Sequence, residues 1–196
     1  MRSVGIYSAA TICAAIAIVA PVSATGVNDE TIAALGAMLP AQAGNKACFA
    51  RAYDTEHMRA HPRQRIAAMT FLLRVEAYDP KEVRSEKPAD RFYYVFAMSV
   101  KRRGEKGILR TAGDCSAFDS ISCVVDCDGG GLTLEKLPPA GSLMVRIDEE
   151  GIVMYHDCDG EDKEAVLIKP GADDKVFRLE KTPDEACRAL DEHYYK

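Results

Sequence analysis

The sequence predicts a mainly β protein: an antiparallel barrel or sandwich of about eight strands, with helical segments at the N-terminus and one helix at the C-terminus. Three observations carry that reading. Apolar residues alternate with period two after Pro62. Shorter runs of the same kind recur at roughly 8–12 residue intervals, the rhythm of sandwiches and barrels. The links between them are rich in Gly, Asp and Pro and too short for a parallel crossover, which takes about a dozen residues or more.

Residues 1–24 read as a secretory signal peptide. Met1-Arg2 supplies a positive start, Ala9 to Ala20 is almost wholly apolar, and Val22-Ser23-Ala24 places small residues where signal peptidase cuts. The alternative is a membrane anchor, but that stretch is about a dozen residues where roughly 20 are needed to span a bilayer. No later window approaches that length, so no transmembrane segment is expected after cleavage. Cys13 has no small-residue lipobox before it, which argues against a lipid anchor. The mature chain is therefore expected to start at Thr25 and to be periplasmic or secreted. It keeps 172 residues (196 − 24), enough for one domain with its own core. Residues 1–24 hold one Arg and no acid, so the mature charge is 24 − 30 = −6. A mildly acidic whole argues against a nucleic-acid partner.

Six cysteines remain: Cys48, Cys115, Cys123, Cys127, Cys158 and Cys187. An even number in an exported chain points to three disulfides, of which sequence leaves the connectivity open.

Along the mature chain, residues 25–63 read as an N-terminal helical segment. A short helix capped by Asn28 or Asp29 presents Ile32, Leu35 and Leu39 on one face and stops at Pro40. A second helical piece is expected from about Lys46 to His61, before Pro62. Residues 64–196 form the β domain, one folded unit with 25–63. Its first strand alternates Met69, Phe71, Leu73 and Val75 with more polar positions and ends at Tyr78-Asp79-Pro80. The second, Arg91 to Arg102, is apolar on both faces, with Phe92, Tyr94, Phe96, Met98 and Val100 on one and Tyr93, Val95 and Ala97 on the other. In a closed barrel one face would line the interior and the other would lie under a terminal helix. An eight-stranded interior holds side chains or one small ligand, and Met69, Phe71, Met98 and Leu143 are bulky enough to fill it. Strands follow near 107–115, 120–127, 131–137, 142–148, 151–157, 164–169 and 175–181, with Glu149–Gly151 among the turns. Thr182-Pro183-Asp184-Glu185 has the form of a capping box and opens a helix over 183–192. Cys48 and Cys187, one in each terminal segment, are natural partners.

The most unusual motif is Asp-Cys-Asp-Gly, at Asp126–Gly129 and again at Asp157–Gly160. One reading makes each a tight turn, with Cys127 and Cys158 bonded across neighbouring hairpins. The other is a metal site using Asp126, Asp128, His156, Asp157 and Asp159. As an EF-hand loop it fails, because Gly130 and Leu137 stand where oxygen ligands are required. Cys123-x3-Cys127 with His156-x-Cys158 supplies zinc or copper ligand types. On a regular strand, however, those two cysteines lie some ~13 Å apart. No catalytic motif is present, and His57 and His61 lack the intervening glutamate of a zinc-protease helix, which leaves them as solvated surface groups. Charge is segregated: Lys101-Arg102-Arg103, Lys106 and Arg110 form a basic hairpin, while Asp148 to Glu164 holds eight acids against one lysine. Such runs are solvated turns or a docking surface for a partner or an acidic envelope polymer.

Cys48-Phe49-Ala50-Arg51-Ala52-Tyr53, Val124-Val125-Asp126-Cys127-Asp128-Gly129-Gly130 and Gly171-Ala172-Asp173-Asp174-Lys175-Val176-Phe177-Arg178-Leu179 resemble segments of uncharacterised exported bacterial proteins, over most of the mature chain. The resemblance implies export and carries no activity. The plan is also similar to small lipocalin-like barrels and periplasmic inhibitor proteins, an analogy of fold. Together these readings point to an exported, disulfide-stapled, non-enzymatic binding protein. It needs no cofactor, and its partner is an unknown protein or a small apolar ligand. A cell-envelope enzyme without a recognisable motif and a metal-handling protein are the alternatives.

Overall fold

The computed structural model describes residues 27–81, 83, 91–126, 128–137, 141–155 and 165–195. Nine strands form one antiparallel system: β1 (Lys46–Ala52), β2 (Ile66–Ala77), β3 (Phe92–Arg102), β4 (Leu109–Ala117), β5 (Ile121–Val125), β6 (Gly130–Leu137), β7 (Ser142–Tyr155), β8 (Ala165–Ile168) and β9 (Val176–Thr182). Strands β1 to β7 pair in sequence order, except that β8 lies outside and β9 joins β7 back to β1. Eight strands therefore close a barrel, and the fold is a barrel rather than a sandwich. Among the described residues three α-helices accompany it: α1 (Val27–Gly36), α2 (Thr55–Ala60) and α3 (Arg188–Tyr194).

Alternation fills the barrel. Met69, Phe71, Leu73 and Val75 of β2 meet Tyr94, Phe96, Met98 and Val100 of β3, Leu132 and Leu134 of β6, Leu143 and Val145 of β7, and Phe177 and Leu179 of β9. All are buried, and the rings of Phe71 and Phe96 stack with centroids 5.5 Å apart. The second apolar face of β3 is covered as expected for a closed barrel. Ala97 packs with Leu72 and Cys48 beneath Cys187 and Leu190, and the hydroxyl of Tyr195 donates to the carbonyl of Phe96 at 2.7 Å. Asp191, on the inner side of α3, accepts from Lys46 Nζ at 3.0 Å and Arg74 Nη1 at 2.5 Å. Burial alone would raise its pKa, but those two cations hold it below the ordinary carboxylate value. Helix α1 closes one end. Leu35 and Leu39 enter the core, the Ala117 amide donates to Thr31 Oγ1 at 2.8 Å, and Tyr94 donates to the Leu39 carbonyl at 2.7 Å.

Two disulfides are present among the described residues. Cys48–Cys187 ties β1 to the C-terminal segment with Cα atoms 5.8 Å apart, and Cys115–Cys123 joins facing residues of β4 and β5. Cys127 and Cys158 lie outside the described residues.

Three sequence expectations are corrected. The stretch from Lys46 to His61 is not one helix: residues 46–52 are β1, and only Thr55–Ala60 is helical. The sequence Lys-Ala-Cys-Phe-Ala-Arg-Ala is made largely of good helix formers, but pairing with β2 and β9 overrides that weak preference. The expected turn at Glu149–Gly151 is a bend inside one long strand, β7. Gly151 adopts φ 87°, and a Cβ there would lie 2.6 Å from the Ile168 carbonyl oxygen, so only glycine lets β7 bend while it stays paired to β8. The bend separates the half of β7 that closes the barrel from the half that carries β8. Finally, the C-terminal helix does not begin with a capping box. It opens as a 3₁₀ turn, Asp184–Cys187, without a side-chain cap, and Thr182 Oγ1 is buried without a partner. The Cys48–Cys187 bond sets that entry where the sequence had suggested Thr182.

A candidate ligand cleft on the barrel flank

Side chains fill the barrel interior, and the clefts of the described residues lie outside it. A large cleft lies on the flank near the end that α1 closes. It measures about 620 Å³ and lies between α1, the β4–β5 turn and the outer surface of β6 and β7. Its walls follow from strand alternation. Leu132, Leu143 and Val145 point into the core, so Thr133, Glu135, Met144 and Arg146 face outward, held side by side by the pairs Thr133↔Arg146 and Glu135↔Met144. Ala34 of α1 and Ile121 of β5 supply further apolar wall. Phe118 stands at the edge in the β4–β5 turn, 68 % exposed. Lys136 donates to the Ala37 carbonyl at 2.8 Å, which pins the C-terminal end of α1 against β6 and keeps the cleft's mouth in place. Arg146 and Lys136 are balanced by Asp119 and Glu135 at the rim. The arrangement suits an apolar body with polar groups at its margin.

Few of the residues singled out from sequence lie here. Asp126 and Asp128 occupy the β5–β6 turn, both exposed, and Asp128 takes a left-handed φ of 59°, which Asp tolerates better than most residues. Asp126 lies near Asp114, whose pKa is raised by desolvation first and by the Asp126 charge second. His156, Asp157 and Asp159 fall outside the described residues, and among the described residues no group of three or more metal-ligating side chains comes together. Cys123 is bonded to Cys115 and so offers no thiolate to a metal. His57 and His61 are not freely solvated: the ring of His57 lies between Tyr53 and His61, with centroids 4.5 and 4.2 Å away.

Phe118, Met144 and Arg146 were not anticipated. The available signal was Phe118, an aromatic residue set among Ala117, Asp119 and Ser120 in a connection whose composition calls for polar groups. Among the described residues no helix is long and apolar enough to cross a membrane. Comparison of the chain with protein-family models, curated proteins and solved structures returns no significant match.

Proposed function

We propose that the protein is an exported, disulfide-stabilised, non-enzymatic binding protein of the cell envelope, and that its ligand is a small apolar molecule seated in the flank cleft beside Phe118. The observation that carries this is the contrast between a filled barrel and a cleft of about 620 Å³ outside it, where Phe118, Ile121, Leu134 and Met144 give an apolar wall edged by charged groups. Ligand sites for small molecules usually fall between roughly 300 and 1,000 Å³ with few polar groups. Paired cysteines agree with an oxidising compartment. Those two bonds account for four of the six mature cysteines, and Cys127 with Cys158 makes the third pair.

The test is titration of the oxidised protein with 1-anilinonaphthalene-8-sulfonate, an apolar fluorescent anion. One saturable site is expected, weakened about tenfold by Phe118→Ala or Met144→Lys, the loss of one apolar contact surface. Unchanged binding in both variants, or none in the native protein, refutes the cleft as a small-ligand site. Capture of a protein partner that both variants lose would instead assign it to protein recognition.

A further inference from the structure

The opposite end of the barrel carries a second, chemically different surface. Two segments meet there, Arg59 to Arg65 and Lys101 to Lys106, with seven Lys or Arg and one acid, Glu105, between them. Strand pairing holds them together: Ile66 faces Arg102, and the Arg103 amide donates to the Arg65 carbonyl at 2.7 Å. The Arg103 guanidinium fastens α2 in place by donating to the carbonyls of Met58, His61 and Pro62. Two acids approach from the β8–β9 loop, yet both serve mainly as backbone anchors. Asp174 accepts from the amides of Arg65 and Ile66 at 2.6 and 3.1 Å, and Asp173 from that of Arg63 at 3.2 Å. Their ion pairs with Arg63 and Arg65 are long, 4.0 and 3.7 Å, and those arginine side chains remain 75 % and 63 % exposed. Counting both acids, these groups keep a formal charge of +7 − 3 = +4 on a chain whose total is −5.

Beside this rim is a cleft of about 250 Å³ lined by Arg51, Tyr53, His57, His61, Gln64 and Arg178, with the Asp173 carboxylate, already bonded to the Arg63 amide, on its wall. Its hydrogen bonds fix the imidazoles. Gln64 Nε2 donates to the Ile66 carbonyl at 2.8 Å, which turns Gln64 Oε1 toward His57 Nε2 at 2.9 Å and makes that nitrogen the donor. His61 Nδ1 likewise donates to the His57 carbonyl at 2.9 Å. In the neutral rings His57 Nδ1 and His61 Nε2 are left as acceptors. Glu180 pairs with Arg178 at 2.9 Å and with Arg51 at 3.9 Å, so the cleft offers hydroxyls its imidazole acceptors and the half-exposed edges of those two guanidiniums, while the carboxylate-binding cations are those of the rim beside it.

From this juxtaposition we infer that the α2 end of the barrel docks an acidic polysaccharide, its carboxylates along the two cationic segments and its hydroxyls against the histidine cleft. A lipid surface fits less well. Of the exposed large apolar side chains described, Ile108 and Leu167 alone adjoin the rim, and two aliphatic groups give little to bury in a bilayer. The inference is independent of the flank cleft, which lies at the other end.

The experiment measures binding of fluorescein-labelled polygalacturonate to the oxidised protein across a sodium chloride series, with monomeric galacturonate and phosphatidylglycerol vesicles alongside. Arg59→Gln, Arg63→Gln, Lys101→Gln and Lys106→Gln are combined in one variant, all on exposed side chains, and Lys101→Gln/Lys106→Gln serves if the fourfold variant melts early. The native protein is expected to bind polymer far more tightly than monomer. Removing four cations should make the slope of log affinity against log salt shallower by about 3, and the pair by about half of that. Polymer binding unchanged by the substitutions, no tighter for polymer than for monomer, or exceeded by binding to the vesicles at equal salt overturns the inference.

Discussion

Removing the Cys48–Cys187 bond should destabilise the protein far more than removing Cys115–Cys123, and the difference can be worked out in advance. A cross-link acts largely by restricting the unfolded chain, with an entropy that grows as the logarithm of the loop it closes. The two bonds span 139 and 8 residues. At 25 °C those separations correspond to about 5 and about 2.5 kcal/mol. All four cysteines are buried, so Cys→Ala in either pair also removes a comparable amount of packing. The difference between the two double variants, about 2.5 kcal/mol, is then chiefly the loop term. Equilibrium urea unfolding of Cys48→Ala/Cys187→Ala and Cys115→Ala/Cys123→Ala against the native protein measures it. Equal losses, or a larger loss for the β4–β5 pair, would refute the reasoning. The long bond would then not be the clamp between β1 and the C-terminal segment.

Three further outcomes are expected. Burial raises the Tyr94 hydroxyl to about 12 while the unfolded group titrates near 10, so its contribution is complete below pH ~10 and is lost as pH rises toward 12; in urea midpoints measured across that range, Tyr94→Phe should remove this part of the decline. Asp191 is held below its ordinary value, so its stabilisation is present above the unfolded pKa of ~3.9 and lost as pH falls through the folded one. Asp191→Asn should therefore lower stability by about 1–3 kcal/mol at pH 7, with the two proteins converging in acid; a constant gap would show that the ion pairs contribute nothing. Gly151→Ala should cost at least about 2 kcal/mol through its left-handed φ and the clash with Ile168, and hydrogen exchange should report early opening of β8; an unaltered β8 would remove the bend from the account.

The architecture was legible where apolar residues alternate or fill both faces of a strand. In β2 and β3 the alternation of Met69 to Val75 and Phe92 to Val100 follows directly from a filled interior, and the doubly apolar β3 foretold the covering helix. Strand β1 was not legible, because Ala47, Ala50 and Ala52 carry no period strong enough to outweigh their helix preference, and only β2 and β9 make that segment extended. The bend at Gly151 reads as a hairpin turn in the sequence, since glycine marks both and the sequence does not show what pairs on either side. In the sequence Asp173 and Asp174 read as part of the Pro170–Asp174 turn and of a resembling segment; their role, holding the amides at the start of β2 from more than a hundred residues away, depends on tertiary contacts that no local pattern records. The flank cleft was invisible for the same reason. It joins α1, the β4–β5 turn and β6–β7, and each alone reads as an ordinary amphipathic element.

Everything proposed for this protein assumes a chain that leaves the cytoplasm and is oxidised there, and one measurement addresses both. The intact mass of the protein recovered from the extracytoplasmic fraction of producing cells, after alkylation under denaturing conditions, should correspond to residues 25–196 less six hydrogens, with no alkyl group added. A mass that retains residues 1–24, or that carries two or more alkyl groups, would contradict an exported and fully disulfide-bonded binding protein.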